Sequence, residues 1–200
     1  EILIGLVGSE MCIRDRSVDD NLGNYRIPEA TKALAEFVDD MSNWYVRRCR
    51  ERYWAKDMPQ DKINAYMTLY TALVTLCKAA APMIPFLTED IYQNLVRTVD
   101  KNAPESIHLC DFPEVNESMI DPELEASMDE VLKVVVFGRA ARNTANIKSR
   151  QPIANMYIKA AKTLDDYFVD ILRDELNVKN VEFKEDLSAF TAYSFKPQLR

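Results

Sequence analysis

Asn43-Trp44-Tyr45-Val46-Arg47-Arg48-Cys49-Arg50-Glu51-Arg52-Tyr53-Trp54 places four arginines and four aromatic residues in twelve positions of an otherwise acidic chain. The residues before it set its phase. Ala30, Ala33, Leu34, Phe37, Val38, Met41, Trp44 and Tyr45 recur at steps of three and four, which predicts one amphipathic helix from Pro28 to Trp54. Continued, that phase puts Asn43 one turn from Arg47 and lines up Asp40, Trp44 and Arg48. The basic end has two readings. In one, it is a solvated helix terminus whose cations oppose the C-terminal dipole. In the other, guanidinium groups meet phosphates and rings meet unstacked bases. Trp44 reads as core because it lies on the apolar face. Arg48 shares the phase of the buried stripe, and a partner for it in Asp40 or in an acid of a neighbouring helix is as good a reading as RNA.

Working outward, the composition favours helices. The chain has 200 residues, of which 48% are hydrophobic and 28% charged, and only four are glycine. That is globular, with little material for tight hairpins. A formal net charge of −7 excludes a histone-like binder of any polyanion, so nucleic acid would have to be met by a local patch. Cys12, Cys49, Cys77 and Cys110 are scattered and form no C-x-x-C pair, so no zinc site is expected. Four free thiols point to a reducing cytoplasm. No apolar run approaches the roughly 20 residues of a membrane span.

Residues 1–16 do not fit the rest of the chain. The octapeptide 9–16 resembles translated adapter sequence, so 1–16 is read as a non-native or disordered leader and set aside from the fold. Residues 17–25 look like the tail of a helix. A second long helix is expected over 60–81, its stripe made of Ile63, Tyr66, Met67, Tyr70, Leu73, Val74 and Cys77, with Ala79-Ala80-Ala81 allowing a close neighbour. Pro82 and Pro85 end it, and Thr88 is expected to cap a further helix through Val96. Residues 100–119 read as an irregular connection, with His108 packed or solvated rather than catalytic. Asp121-Pro122 starts another helix, which carries Leu124, Met128, Val131, Leu132, Val135 and Val136 and extends towards Lys148. Its far end holds Arg139, Arg142, Lys148 and Arg150 with no acid among them, a second basic patch. After Pro152 the texture turns to strand (154–160), helix (164–176) and strand (180–184), with a further short strand at 193–195. The expected architecture is therefore mainly α: a helical bundle over 17–150 and a small α/β appendage over 151–200.

No catalytic constellation can be written. Four glycines leave no room for a phosphate-cradling loop, and the single histidine lacks a nucleophile in a convincing context. Asp39-Asp40, Glu89-Asp90 and Asp165-Asp166 are adjacent carboxylates, which diverge on a helix and make poor shared-proton pairs. Binding remains.

At these residues the chain resembles a known family. Leu22-Gly23-Asn24-Tyr25 followed by Phe37-Val38-Asp39-Asp40-Met41-Ser42-Asn43-Trp44-Tyr45-Val46-Arg47-Arg48 is similar to the start of the anticodon-binding domain of isoleucyl-tRNA synthetases. Ala81-Pro82-Met83-Ile84-Pro85-Phe86-Leu87-Thr88-Glu89-Asp90-Ile91-Tyr92 resembles the proline-broken helix junction shared by the isoleucyl, valyl and leucyl enzymes. Gly138-Arg139-Ala140-Ala141-Arg142-Asn143, Lys148-Ser149-Arg150-Gln151-Pro152 and Glu175-Leu176-Asn177-Val178-Lys179 resemble later segments of the isoleucyl enzymes. The matches are ordered and spread over residues 17–200.

The resemblance implies a C-terminal fragment of a class I aminoacyl-tRNA synthetase, an isoleucine–tRNA ligase using ATP with magnesium in the cytoplasm. The family's HIGH and KMSKS signatures and its editing domain are absent from this sequence. No catalytic residue and no cofactor are therefore expected in the fragment. Its implied partners are tRNA(Ile) and the catalytic and editing domains of the same chain. Carried onto this chain, the resemblance implies RNA contact by Asn43, Arg47, Arg50 and Arg52. Arg142, Lys148 and Arg150 are further candidates, whose other role would be to hold bundle and appendage together. The rivals are a valyl- or leucyl-type module and a helical docking domain that touches no RNA.

Overall fold

The computed structural model describes residues 2–159 and 164–188. They form a mainly helical chain with a two-stranded parallel sheet, and they group into two compact units, Glu1–Pro122 and Glu123–Arg200. The boundary expected at 150/151 follows the texture of the sequence, whereas these units follow packing. The expected strand at 193–195 lies outside the described residues.

The first unit is helical. Helix α1 (Ile2–Gly23) packs against α2 (Ile27–Asp40) and α4 (Gln60–Ala80). Residues 9–16, expected to stand apart from the fold, continue α1, and Cys12 lies in the core at 2% exposure. Pro28 opens α2, where a missing N–H costs nothing. The expected single helix to Trp54 is instead three pieces: α2, a π-helical turn at Met41–Val46, and α3 (Arg50–Trp54) after a turn at Cys49. The buried residues explain the break. Phe37, Met41, Tyr45 and Cys49 face one core at steps of four. In a uniform α-helix such a repeat drifts about 40° per step, and the wider i→i+5 turn absorbs the drift.

Helix α4 buries Ala65, Ala72, Cys77, Ala79 and Ala80. This corrects the expected stripe, because Tyr66 and Met67 are exposed. Alanines carry the closest approach, packing on Val18, Ala30, Ala33 and Leu34, while the larger Tyr70, Val74 and Cys77 serve a separate cluster with Tyr92 and Val96. Thr88 does not cap the next helix. Helix α5 (Pro85–Tyr92) begins at the proline, and the buried Thr88 hydroxyl donates inside it to the carbonyls of Ile84 and Pro85. A second π turn, Gln93–Arg97, continues α5.

The irregular connection is anchored rather than loose. Glu89 accepts from the Ser106 hydroxyl and the Ile107 N–H at 2.8 and 2.9 Å, and from Gln93 at 2.8 Å. Partial burial, the largest single influence, raises the Glu89 carboxyl, but these hydrogen bonds together outweigh it and hold the group below its ordinary value. His108 lies exposed in the adjoining 3-10 turn.

The second unit is built on α6 (Pro122–Thr144). It carries β1 (Ile153–Ile158), α7 (Asp166–Leu176) and β2 (Val178–Phe183), the two strands being parallel with Ile153 opposite Val178. Parallel neighbours need a crossover, and α7 supplies it, burying Phe168, Val169, Ile171, Leu172 and Leu176. Asn177 ends α7 in the left-handed region at φ 49°, a conformation that asparagine tolerates better than most residues.

Candidate nucleic-acid interface

Asn43, Arg47, Arg50 and Trp54 are separated by four, three and four residues, and all four are exposed. That spacing is one face of a helix, and the carbonyls of Tyr45 and Cys49 keep the hydrogen-bond chain running through the turn between π segment and α3. The opposite face is fixed. Cys49 is fully buried, and the Tyr45 hydroxyl donates to the carbonyl of Ala65 at 3.0 Å. Tyr53 lies against Tyr66 of α4, ring centroids 4.9 Å apart. A rigidly held inner face thus presents a polar and aromatic outer stripe, about 16 Å long at the ordinary helical rise.

Within the stripe, the Arg47 Nε donates to the Asn43 carbonyl at 2.8 Å, and its guanidinium lies 5.8 Å from the ring centre of the half-buried Trp44. Arg50 lies 5.5 Å from the ring centre of Trp54, which is 76% exposed. Each arginine therefore has a ring beside it, and a cation over an aromatic face is restrained by that contact.

Arg52 is placed differently. Its guanidinium grips the Asp61 carboxylate through two donors at 2.7 and 2.6 Å and reaches the Asp61 carbonyl at 3.2 Å and the Cys49 sulfur at 3.4 Å. The hydrogen bonds from Arg52 hold the Asp61 carboxyl below its usual range, and the same pairing raises Arg52. The Cys49 thiol is pushed up by burial, although Arg52 works against it. Arg52, expected among the RNA contacts, joins α3 to the first turn of α4, its two-donor fork meeting a planar partner inside the protein.

The second basic patch does not hold together as a surface either. Arg142 is 5% exposed, and its guanidinium donates to the carbonyls of Lys148, Gln151, Leu176 and Asn177 at 3.0, 2.9, 2.6 and 3.1 Å. Expected as a weaker RNA-contact candidate or as a structural link, it stands as a structural hub of the second unit. Arg139 pairs at 2.8 Å with Glu175, whose side chain is nearly buried. Gly138 has the reason its neighbours need: a β-carbon there would come within 2.6 Å of Leu176 Cδ1. Segments 138–143, 148–152 and 175–179, which carry the later part of the family resemblance, thus close on one another in space. Of this patch, Lys148 and Arg150 stand exposed, with no side-chain ion pair to another residue among the described residues.

Trp54, in the arginine-rich stretch and four residues after Arg50, stays outside the core, an exposure that its spacing does not report.

Among the described residues no helix is long and apolar enough to cross a membrane. A family model described as the anticodon-binding domain of tRNA ligase matches residues 15–158. The isoleucine–tRNA ligase of Clostridium novyi is 53% identical over 184 residues, 92% of this chain and 18% of that protein. The corresponding ligase of Chlamydia pneumoniae is 41% identical over 186 residues, again 92% of this chain and 18% of the relative. Isoleucine–tRNA ligase 2 of Bacillus cereus is 41% identical over 184 residues, 90% of this chain and 17% of the relative. The chain therefore spans less than a fifth of the length of these curated relatives. With the family model covering well over half of it, across both compact units, the chain belongs to the anticodon-binding domain family of tRNA ligases.

Proposed function

We propose that this chain is the anticodon-stem-loop-binding part of an isoleucine–tRNA ligase, which joins isoleucine to tRNA(Ile) with ATP and magnesium in the cytoplasm. The ligation is assigned to other domains of such an enzyme. This part supplies specificity and orientation, docking the far end of the tRNA so that the acceptor end reaches the reacting groups. The observation that carries the reading is the exposed stripe of Asn43, Arg47 and Arg50 on a rigid helix face, in a chain whose relatives bear that ligase name. Arg47 and Arg50 meet phosphate, and Asn43 meets a base edge or a 2′-hydroxyl. Lys148 and Arg150 are lesser phosphate contacts.

The test is a titration of the chain with an isoleucine-tRNA anticodon stem-loop at two salt concentrations, beside Arg47→Ala. Counterion release predicts weaker binding at higher salt and a shallower salt slope in the variant. Equal binding of unrelated hairpins, or none at all by chain of native helicity, would defeat the reading.

A further inference from the structure

We propose that Trp54, backed by Arg50, is a stacking platform for one unpaired nucleobase of the bound RNA loop; the inference rests on the RNA-binding reading above. Tryptophan carries a large apolar area that ordinarily favours burial, yet Trp54 stands 76% exposed. Its position is not left over from a loose segment. The residues that precede it in α3 are tied to α4, Arg52 by its fork on Asp61 and Tyr53 by its ring against Tyr66. Cys49, at the start of that turn, is wholly buried. The backbone that carries Trp54 is thus pinned through its neighbours while the indole itself is kept out of the core.

The setting selects the occupant. Arg50 lies 5.5 Å from the ring centre and makes no ion pair or side-chain hydrogen bond with a described residue, so a cation is held beside an aromatic face with its donors still available. Arg47 and Asn43 continue the same face. A purely apolar partner would leave the Arg50 charge desolvated. A single-stranded nucleotide offers both halves at once: a π face for the indole, and a phosphate for the guanidinium that steadies it. Arg52 cannot substitute, because its donors are held by Asp61. The face is therefore a graded surface, with base-edge and phosphate contacts at Asn43 and Arg47 and stacking at Trp54.

The chain contains two tryptophans, which makes the platform observable. Trp44→Phe leaves Trp54 as the sole indole, and Trp54→Phe leaves Trp44. Titrated with the anticodon stem-loop, Trp44→Phe should show saturable fluorescence quenching with the midpoint of binding, and Trp54→Phe should not. Trp54→Ala should weaken binding roughly tenfold or more, with Trp54→Phe recovering most of it because a phenyl ring still stacks. The salt slope should be unchanged in Trp54→Ala and shallower in Arg50→Gln, since only the latter removes a phosphate contact. A stem-loop made abasic at the stacked position should bind wild type and Trp54→Ala alike. If Trp54→Ala binds as wild type while Arg47→Ala and Arg50→Gln bind less, the platform is refuted and the RNA reading survives, leaving the exposed ring to a protein neighbour. If chain of native helicity binds no stem-loop at all, both readings fall.

Discussion

The two basic segments of this chain look alike in sequence and use their arginines in different proportions in space. In the first, residues 43–54, Arg47 and Arg50 lie on an outward stripe, whereas Arg52 turns to a protein acid. In the second, residues 138–150, Arg142 turns inward to four backbone carbonyls and Arg139 takes Glu175. The difference lies in what surrounds each guanidinium. Five donors in a fixed fork are satisfied wherever acceptors converge, and a helix end followed by two chain reversals brings carbonyls together in a way that a straight helix face does not. Arginine density alone therefore marks neither a binding surface nor a structural hub.

The sharpest way to break this contrast is Arg142→Met. It removes the donors from one buried carbonyl, that of Leu176, and from three part-buried ones, and loss of several such bonds should cost about 3 kcal/mol. Urea denaturation followed by circular dichroism should show it as a large drop in midpoint. An unchanged midpoint would mean the hub is no hub. Gly138→Ala comes next. Alanine ordinarily stabilises a helix interior by about 1 kcal/mol, but here its β-carbon would meet Leu176 at 2.6 Å. Overpacking should win, with a net loss of about 1–2 kcal/mol in the same measurement; a gain would show that Leu176 has room to move.

Arg50→Gln should leave the denaturation midpoint within about 0.5 kcal/mol of wild type while weakening stem-loop binding several-fold. An effect on stability instead of affinity would put Arg50 in the class of Arg142. The smallest expected effect concerns pH. Glu89 is held below its ordinary value, so its contribution is fully present above the unfolded carboxyl range, near pH 4.3, and is lost as the pH falls through the lower folded value. Glu89→Gln should therefore be less stable than wild type at pH 7, and the gap should close between about pH 5 and pH 3. A gap that stays constant with pH would show that the carboxylate charge contributes nothing beyond its hydrogen bonds.

Several features were legible in the residues themselves. The helical class followed from four glycines and from apolar steps of three and four. The helix start at Pro122 and the strand–helix–strand order after Pro152 followed from local chemistry that acts within a few residues. The short Ala79-Ala80-Ala81 run at the end of α4 also read correctly as a close approach. Local rules failed where the deciding partner is distant. Periodicity predicted an unbroken helix to Trp54, but a core presenting sites at steps of four demanded a π turn. Tyr66 and Met67 looked like core because they are large and apolar, yet small alanines made the contact that mattered.

The basic and aromatic character of residues 43–54, and the pairing potential of every arginine, are set by the sequence alone, since they are properties of residue type and spacing. Tertiary structure decided which arginine spends its donors at home. Arg142 comes within hydrogen-bonding distance of the carbonyls of residues 176 and 177 only because a crossover helix returns there, and Arg52 meets Asp61 only where α3 and α4 converge. Trp54 is left outside for the same reason. The nearby core is already closed by Tyr45 and Cys49, and no rule of sequence spacing reports that a space is full.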